Sequence, residues 1–138
     1  MEAIMRPIGA IRLEGQRAYV DVLPQYLPAL RELEEYSHLH LLWWFDGCDT
    51  PDSRATLQVN TPHPGSPENL GVFATRTPHR PNPIALDTAA ILWVDHRRGR
   101  ICISRTDARD GTPVMDIKPY ARGADCIPEA VGPPWSMQ

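Results

Sequence analysis

Two arginines, a histidine and an asparagine are threaded between three prolines in residues 71–87, Gly-Val-Phe-Ala-Thr-Arg-Thr-Pro-His-Arg-Pro-Asn-Pro-Ile-Ala-Leu-Asp. Each proline fixes its own φ near −65° and drives the preceding residue into an extended conformation, so Thr77, Arg80 and Asn82 have little backbone freedom. A pre-shaped loop that presents Arg76, His79, Arg80 and the Asn82 amide suits an anionic or nucleotide-like ligand, because little ordering entropy is left to lose on binding. The same composition also describes a Pro-rich surface turn whose arginines are merely solvated. The loop alone leaves both readings open.

A second polar cluster runs from Asp107 to Tyr120. Asp110-Gly111 followed by Thr112-Pro113 is strong turn chemistry, and the turn is expected to draw Asp107 and Asp110 together. Two carboxylates and several free backbone N–H groups can hold a ribose, an amino group or a purine edge. Equally, the carboxylates can cap the turn's own backbone. Asp116 and Lys118, two apart on a strand, face one side and are expected to form a surface ion pair worth about 0–1 kcal/mol. His38, His40, Asp46, Cys48 and Asp49 include metal-ligating types, yet no second paired motif completes a site, and no metal is expected. Trp43, Trp44 and Phe45 read as core and interface. A glycine-rich dinucleotide fingerprint, a Walker-type phosphate loop and a Gly-x-Ser-x-Gly elbow are all missing.

These segments must be positioned by a mainly β chain. Apolar alternation and β-branched residues predict strands near Ile4 to Arg12, Ala18 to Leu23, Leu39 to Phe45, Thr56 to Val59, Val72 to Ala74, Ile84 to Val94 and Arg100 to Arg105. Leu27, Leu30 and Leu33 recur every three residues behind Pro28, which predicts one short amphipathic helix from Leu27 to Tyr36 plugging an end of a sheet. Asp95 to Gly99 separates two strand-like runs and predicts a hairpin, with Arg97, Arg98 and Arg100 read as a solvated, charged edge in preference to part of a basic patch. Pro62 to Pro67 is a loop rich in breakers. The tail after Tyr120 is expected to be irregular, with Trp135 docking on the body or on a partner chain, since an exposed indole leaves much apolar surface in water.

At 138 residues the chain reads as one domain, 1–138, able to bury about two-thirds of its unfolded surface. A net charge of −3 speaks against general adhesion to nucleic acid, so any RNA contact needs a local basic patch such as Arg76 and Arg80. The three cysteines are far apart, which argues against a disulfide framework. No run is long enough to span a membrane and no secretion signal is visible, so the expected location is cytoplasmic.

Pro7 to Arg12, Leu33 to Leu39, Gly71 to Leu86 and Asp110 to Tyr120 together resemble, in order, the TsaA-like (YaeB-like) family, the tRNA methyltransferase O group. The resemblance spans about residues 7–120 and leaves 121–138 as an irregular tail. It implies a small, largely antiparallel β-barrel that binds S-adenosylmethionine and works as a homodimer, with the cofactor near the subunit interface. The implied activity is methylation of N6 of threonylcarbamoyladenosine beside the anticodon of tRNA. A methyltransferase with a small-molecule acceptor, or a non-catalytic binder of the cofactor, are the alternatives. Matched by motif, the cofactor positions are Asp46, Gly47, Arg76, Leu86, Asp107, Ala108, Arg109, Asp110, Gly111 and Thr112. His79, Arg80 and Asn82 are the implied substrate contacts, and no general base is nominated. The chain departs from the family pattern where Arg12 runs through Leu13-Glu14-Gly15-Gln16 straight into the next strand without the usual basic, Pro-rich loop. It departs again at Ala85, where a glycine is usual, at Asp46, where a histidine is common, and in ending without a further C-terminal domain.

Overall fold

Ile11, Val20, Leu39, Leu41, Ile101, Ile103 and Val114 alternate along their strands and are sealed from solvent in the computed structural model, which describes residues 1–136. Because successive side chains on a strand point to opposite faces, one apolar row per strand is enough to fill a small closed interior. Six strands build it: β1 (Gly9–Glu14), β2 (Arg17–Val22), β3 (His38–Trp44), β6 (Ile84–Asp95), β7 (Arg100–Ile103) and β8 (Pro113–Pro119). They close into a barrel in the order β1-β2-β7-β6-β3-β8, every neighbouring pair antiparallel. The mainly β character expected from the alternation and the antiparallel barrel implied by the resemblance are therefore both present. The remaining strands, β4 (Gln58–Val59) and β5 (Leu70–Gly71), form a separate two-stranded ribbon that leads into the Pro-rich loop.

β1 and β2 are joined by a two-residue turn in which Gly15 adopts φ 61°, as a tight hairpin with glycine first requires. The closing seam between β1 and β8 is short, pairing only Gly9 with Val114 and Ala10 with Pro113. Gly9 has no room for a side chain, since a Cβ there would collide with the Asp21 carbonyl of β2.

Several expected elements differ. The strand expected from Ile4 begins only at Gly9, and the expected strand at Val72–Ala74 is a single 3-10 turn. The helix expected over Leu27 to Tyr36 is two 3-10 turns, Pro24–Leu30 and Leu33–Glu35, broken where Glu32 adopts φ 69°. Pro28 lies inside the first turn and has no N–H to give, which favours short, tight winding over an α-helix. The plug itself is real, because Leu30 is buried while Tyr26, Leu27 and Leu33 pack against the core. Arg100 is no solvated edge: it is buried across β2, donating from Nε to Asp21 (2.7 Å) and from Nη1 and Nη2 to Glu14, with its guanidinium 4.3 Å from the Tyr19 ring centroid. That contact holds the Asp21 carboxyl below its ordinary value, hydrogen bonding from Arg100 being the main cause.

Two short helices were not expected. α1 (Pro51–Arg54) is capped by Thr50, whose Oγ1 accepts from the Ser53 N–H, with Pro51 in the first turn. α2 (Arg122–Asp125) lies in the tail and is held where Asp125 Oδ2 comes 3.3 Å from His40 Nε2. Trp135 is half-buried beside Gly65. Among the described residues no helix is long and apolar enough to cross a membrane.

Candidate functional site

The site is laid on the paired ends of β3 and β6. Trp43 lies opposite Ala85 and Leu41 opposite Asp87, so Trp43 and Asp87 both turn toward the interior. Asp87 is a carboxylate at only 4% exposure, and its Oδ2 accepts from Trp43 Nε1 (2.9 Å), Thr106 Oγ1 (2.7 Å) and the Asp107 N–H (3.2 Å). A buried carboxylate is tolerated only when donors replace its lost water, and here the three donors come from β3 and from the β7–β8 connection. Asp87 thus bolts the start of the acidic segment to the barrel. β7 pairs with β6 only from Ile91 to Asp95, so between Ile84 and Ala90 the β6 edge away from β3 has no strand neighbour among the described residues.

The Pro-rich loop arches over that open edge. Arg80 points back into the loop, donating from Nη1 to the Thr75 and Thr77 carbonyls (3.2 and 2.9 Å) and from Nη2 to the Val72 carbonyl (3.2 Å). Arg80 is therefore the loop's internal brace. The far half of the loop is held from α1: His79 Nδ1 lies 2.7 Å from Ser53 Oγ, and Arg54 donates to the Pro81 carbonyl and to Asn82 Oδ1. Among the described residues Arg76 makes no such internal contact, and it faces the cavity.

The acidic turn is held differently. Its main chain continues the β1 ladder, with Gly111 N–H donating to the Ile11 carbonyl (2.8 Å) and Ile11 N–H to the Thr112 carbonyl (2.9 Å). Gly111 adopts φ 83°, the left-handed conformation that favours glycine. Asp110 caps this junction by accepting from the Leu13 N–H (2.8 Å), and Ala108 and Thr112 are buried. Arg109 folds back across the segment after β3, 3.8 Å from Asp46 and so close to Gly47 that a Cβ there would meet its guanidinium at 2.7 Å.

Both segments open on adjoining cavities of about 680 and 250 Å³ that share Trp43, Phe45 and Asp107. Arg76, Arg80, Asn82 and Leu86 face the larger one, and Asp46, Gly47, Arg109 and Thr112 the smaller. Of the positions singled out in the sequence, Ala108, Asp110, Gly111 and His79 are not on these walls. Leu13 to Gln16, the short β1–β2 hairpin, contributes nothing to either wall.

Residues 2–126 match the family described as the tRNA-methyltransferase O N-terminal domain. The chain belongs to this family. It is 42% identical over 125 residues to a Pyrococcus horikoshii protein named "Probable S-adenosyl-L-methionine-binding protein", covering 89% of this chain and 86% of that one. An "S-adenosyl-L-methionine-binding protein" of Archaeoglobus fulgidus is 34% identical, covering 94% of this chain and 97% of its own. Among solved structures, TrmO from Pseudomonas aeruginosa superposes with a TM-score of 0.72 at 32% identity, over 95% of this chain but 62% of that one. The chain thus spans about three-fifths of that solved protein.

For this member of the tRNA-methyltransferase O N-terminal domain family, motif matching singled out the walls but missed the floor and the buttress. Asp87 carried a readable signal: it shares the inward parity of Ala85 and Ala89, which makes it a charge on a core-facing row. Arg54 carried one as well, since Thr50-Pro51-Asp52-Ser53 is an N-cap with proline at the first helical position. His38, His40, Asp46, Cys48 and Asp49 are dispersed: His40 bonds Thr88 Oγ1 on the outer wall, while Asp49 accepts from Trp44 Nε1.

Proposed function

We propose that this protein is an S-adenosylmethionine-dependent methyltransferase acting on tRNA, at N6 of threonylcarbamoyladenosine beside the anticodon. The observation that carries this reading is the convergence of Arg76, from the Pro-rich loop, and Asp107, from the acidic segment, on one cavity floored by Trp43 and Phe45. The donor set fits an adenosyl amino acid. Trp43 and Phe45 pack edge to face with ring centroids 4.7 Å apart and supply an apolar floor, the open β6 edge at Leu86 supplies main-chain groups for a purine edge, and Asp46 and Asp107 supply acceptors for hydroxyl and ammonium groups. Arg76 is placed to meet a carboxylate by charge-assisted hydrogen bonding. When bound, S-adenosylmethionine supplies an electrophilic methyl group on a sulfonium. Transfer to a nitrogen lone pair needs register more than a covalent nucleophile, so the task of the walls is to position and to exclude water.

The protein works as a homodimer in this reading. On the outer face of the barrel Leu42 pairs with Leu86 and Trp44 with Ile84, an apolar strip where a solvated wall would carry polar side chains. The strip adjoins the cavity through Leu86. Leu42→Arg is expected to shift the light-scattering mass toward that of one chain; an unchanged mass would place the interface elsewhere.

The direct test is transfer of labelled methyl groups from S-adenosylmethionine to tRNA carrying the modified adenosine, against the same tRNA without it. Incorporation that needs the modification supports the reading, and none into either overturns it. Arg76→Ala is expected to weaken cofactor binding by about 1–3 kcal/mol, the cost of a lost charged hydrogen bond, in calorimetry. Unchanged affinity would remove Arg76 from the site.

A further inference from the structure

Arg54 makes four contacts with one planar group. Its Nε donates to the Pro81 carbonyl (2.8 Å), Nη2 to Asn82 Oδ1 (3.0 Å) and Nη1 to Asp49 Oδ1 (3.1 Å), while its Cζ lies 5.7 Å from the Trp44 ring centroid. The guanidinium therefore spans two chain segments: the one that leaves β3 past Asp46 and Gly47, and the far half of the Pro-rich loop. It is absent from the walls of the two cavities, whereas Asn82 is on the wall of the larger.

The chemistry of the pair fixes the amide. A guanidinium has only donors, so the Asn82 group that faces it must be the carbonyl oxygen, and the NH₂ end is left with both donors for other partners. Arginine's rigid fork adds direction, because Pro81 and Asn82 are read together by adjacent nitrogens of one plane.

We propose that Arg54 is a positioning residue for the acceptor: it orients Asn82 so that the amide presents N–H donors to the cavity, where they meet an oxygen of the RNA nucleotide being methylated. This rests on the methyltransferase reading above. It assigns recognition of a hydrogen-bond-accepting group to Asn82 and makes Arg54 responsible for that polarity without touching the substrate.

The test uses the full chain with S-adenosylmethionine and tRNA. Arg54→Ala and Asn82→Ala are each expected to raise KM for tRNA roughly tenfold with cofactor affinity within about twofold, and the double variant is expected to be little worse than either alone. Because Arg54 is partly open to solvent, millimolar guanidinium is expected to restore part of the Arg54→Ala loss. Independent of turnover, the Asn82 side-chain NH₂ resonances in a nitrogen-15 spectrum are expected to shift in Arg54→Ala and much less in Asp52→Ala, on the same helix. Additive losses in the double variant, or an Asn82 amide indifferent to Arg54, would overturn the proposal. Wild-type protein that methylates no tRNA, yet whose Asn82 amide still reports Arg54, would instead overturn the methyltransferase reading and the RNA contact with it, leaving only the orientation of Asn82 by Arg54.

Discussion

The Pro-rich loop and the acidic turn border the same cavities, yet they are held in place by different chemistry. Arg80, Arg54 and Ser53 hold the loop through side chains, four of those contacts ending on carbonyls of its own residues 72, 75, 77 and 81. The acidic turn is held by backbone pairing to β1 and by the buried Asp87, Ala108 and Thr112. Side-chain braces are few, polar and half-exposed, so they can yield locally. A main-chain ladder anchored in the core cannot move without opening the barrel. The contrast suits a site in which one wall admits a large acceptor while the other stays fixed.

The severest way to break this contrast is Asp87→Ala. The substitution strands the Trp43 indole N–H, the Thr106 hydroxyl and the Asp107 N–H without their shared acceptor, at an expected cost of about 3 kcal/mol or more to global stability. Urea unfolding at unchanged slope reads it as a lower midpoint. A cost under about 1 kcal/mol would mean that the acidic side does not depend on the core bolt.

Arg80→Ala comes next and acts on the other wall. It frees the Thr75 and Thr77 carbonyls and takes one of three donors from the Val72 carbonyl, which keeps the Thr75 N–H and Oγ1, so about 1–2 kcal/mol is expected, and as local loosening rather than unfolding. Hydrogen exchange is expected to speed up across residues 72–80 and to stay unchanged across 105–112. Equal acceleration of both segments would show that they form one cooperative unit. Asp110→Asn sharpens the same point at smaller cost, below about 1 kcal/mol, because an amide oxygen can still accept from Leu13 and the turn keeps its main-chain pairs.

Both walls were readable before the structure because their residue types are unusual and local: prolines that stiffen, an Asp-Gly pair that turns. The β character was readable from alternation in β2, β3, β6 and β7, and the barrel from the family resemblance. What escaped depends on contacts distant in sequence. β8 has a proline at each end and a bulge opposite Leu42 and Trp43, so its alternation is blurred although Val114 is fully buried. Arg100 reads as one of three turn arginines until the β1–β2 hairpin is seen to bring Asp21 and Glu14 beside it. Arg54 sits 27 residues before Pro81, and nothing in either segment alone indicates that they meet. The expected helix failed for a local reason, since Pro28 falls inside the Pro24–Leu30 winding rather than at a helix start, and the chain breaks where Glu32 adopts φ 69°.

The smallest expected effect is a titration that should loosen the Pro-rich loop before the main-chain pairing of the acidic turn. The Asp49 carboxyl is held below its ordinary value of 3.8, chiefly by the hydrogen bond from Trp44 and then by Arg54. A group whose folded value is depressed contributes fully above its unfolded value and loses that contribution as pH falls through the folded one. Acid below about pH 4 is therefore expected to slacken the link from Asp49 through Arg54 to Pro81 and Asn82, while the Gly111–Ile11 and Ile11–Thr112 backbone pairs carry no titrating group. Asp49→Asn should show at neutral pH much of the loop loosening that wild type shows in acid, and should show little further change there. Asp49 is exposed, so solvent screens the effect and local exchange at residues 79–82 is the readout to follow. If acid instead loosened residues 105–112 first, the side-chain-braced wall would not be the yielding one, and the division of labour between the two walls would have to be reversed.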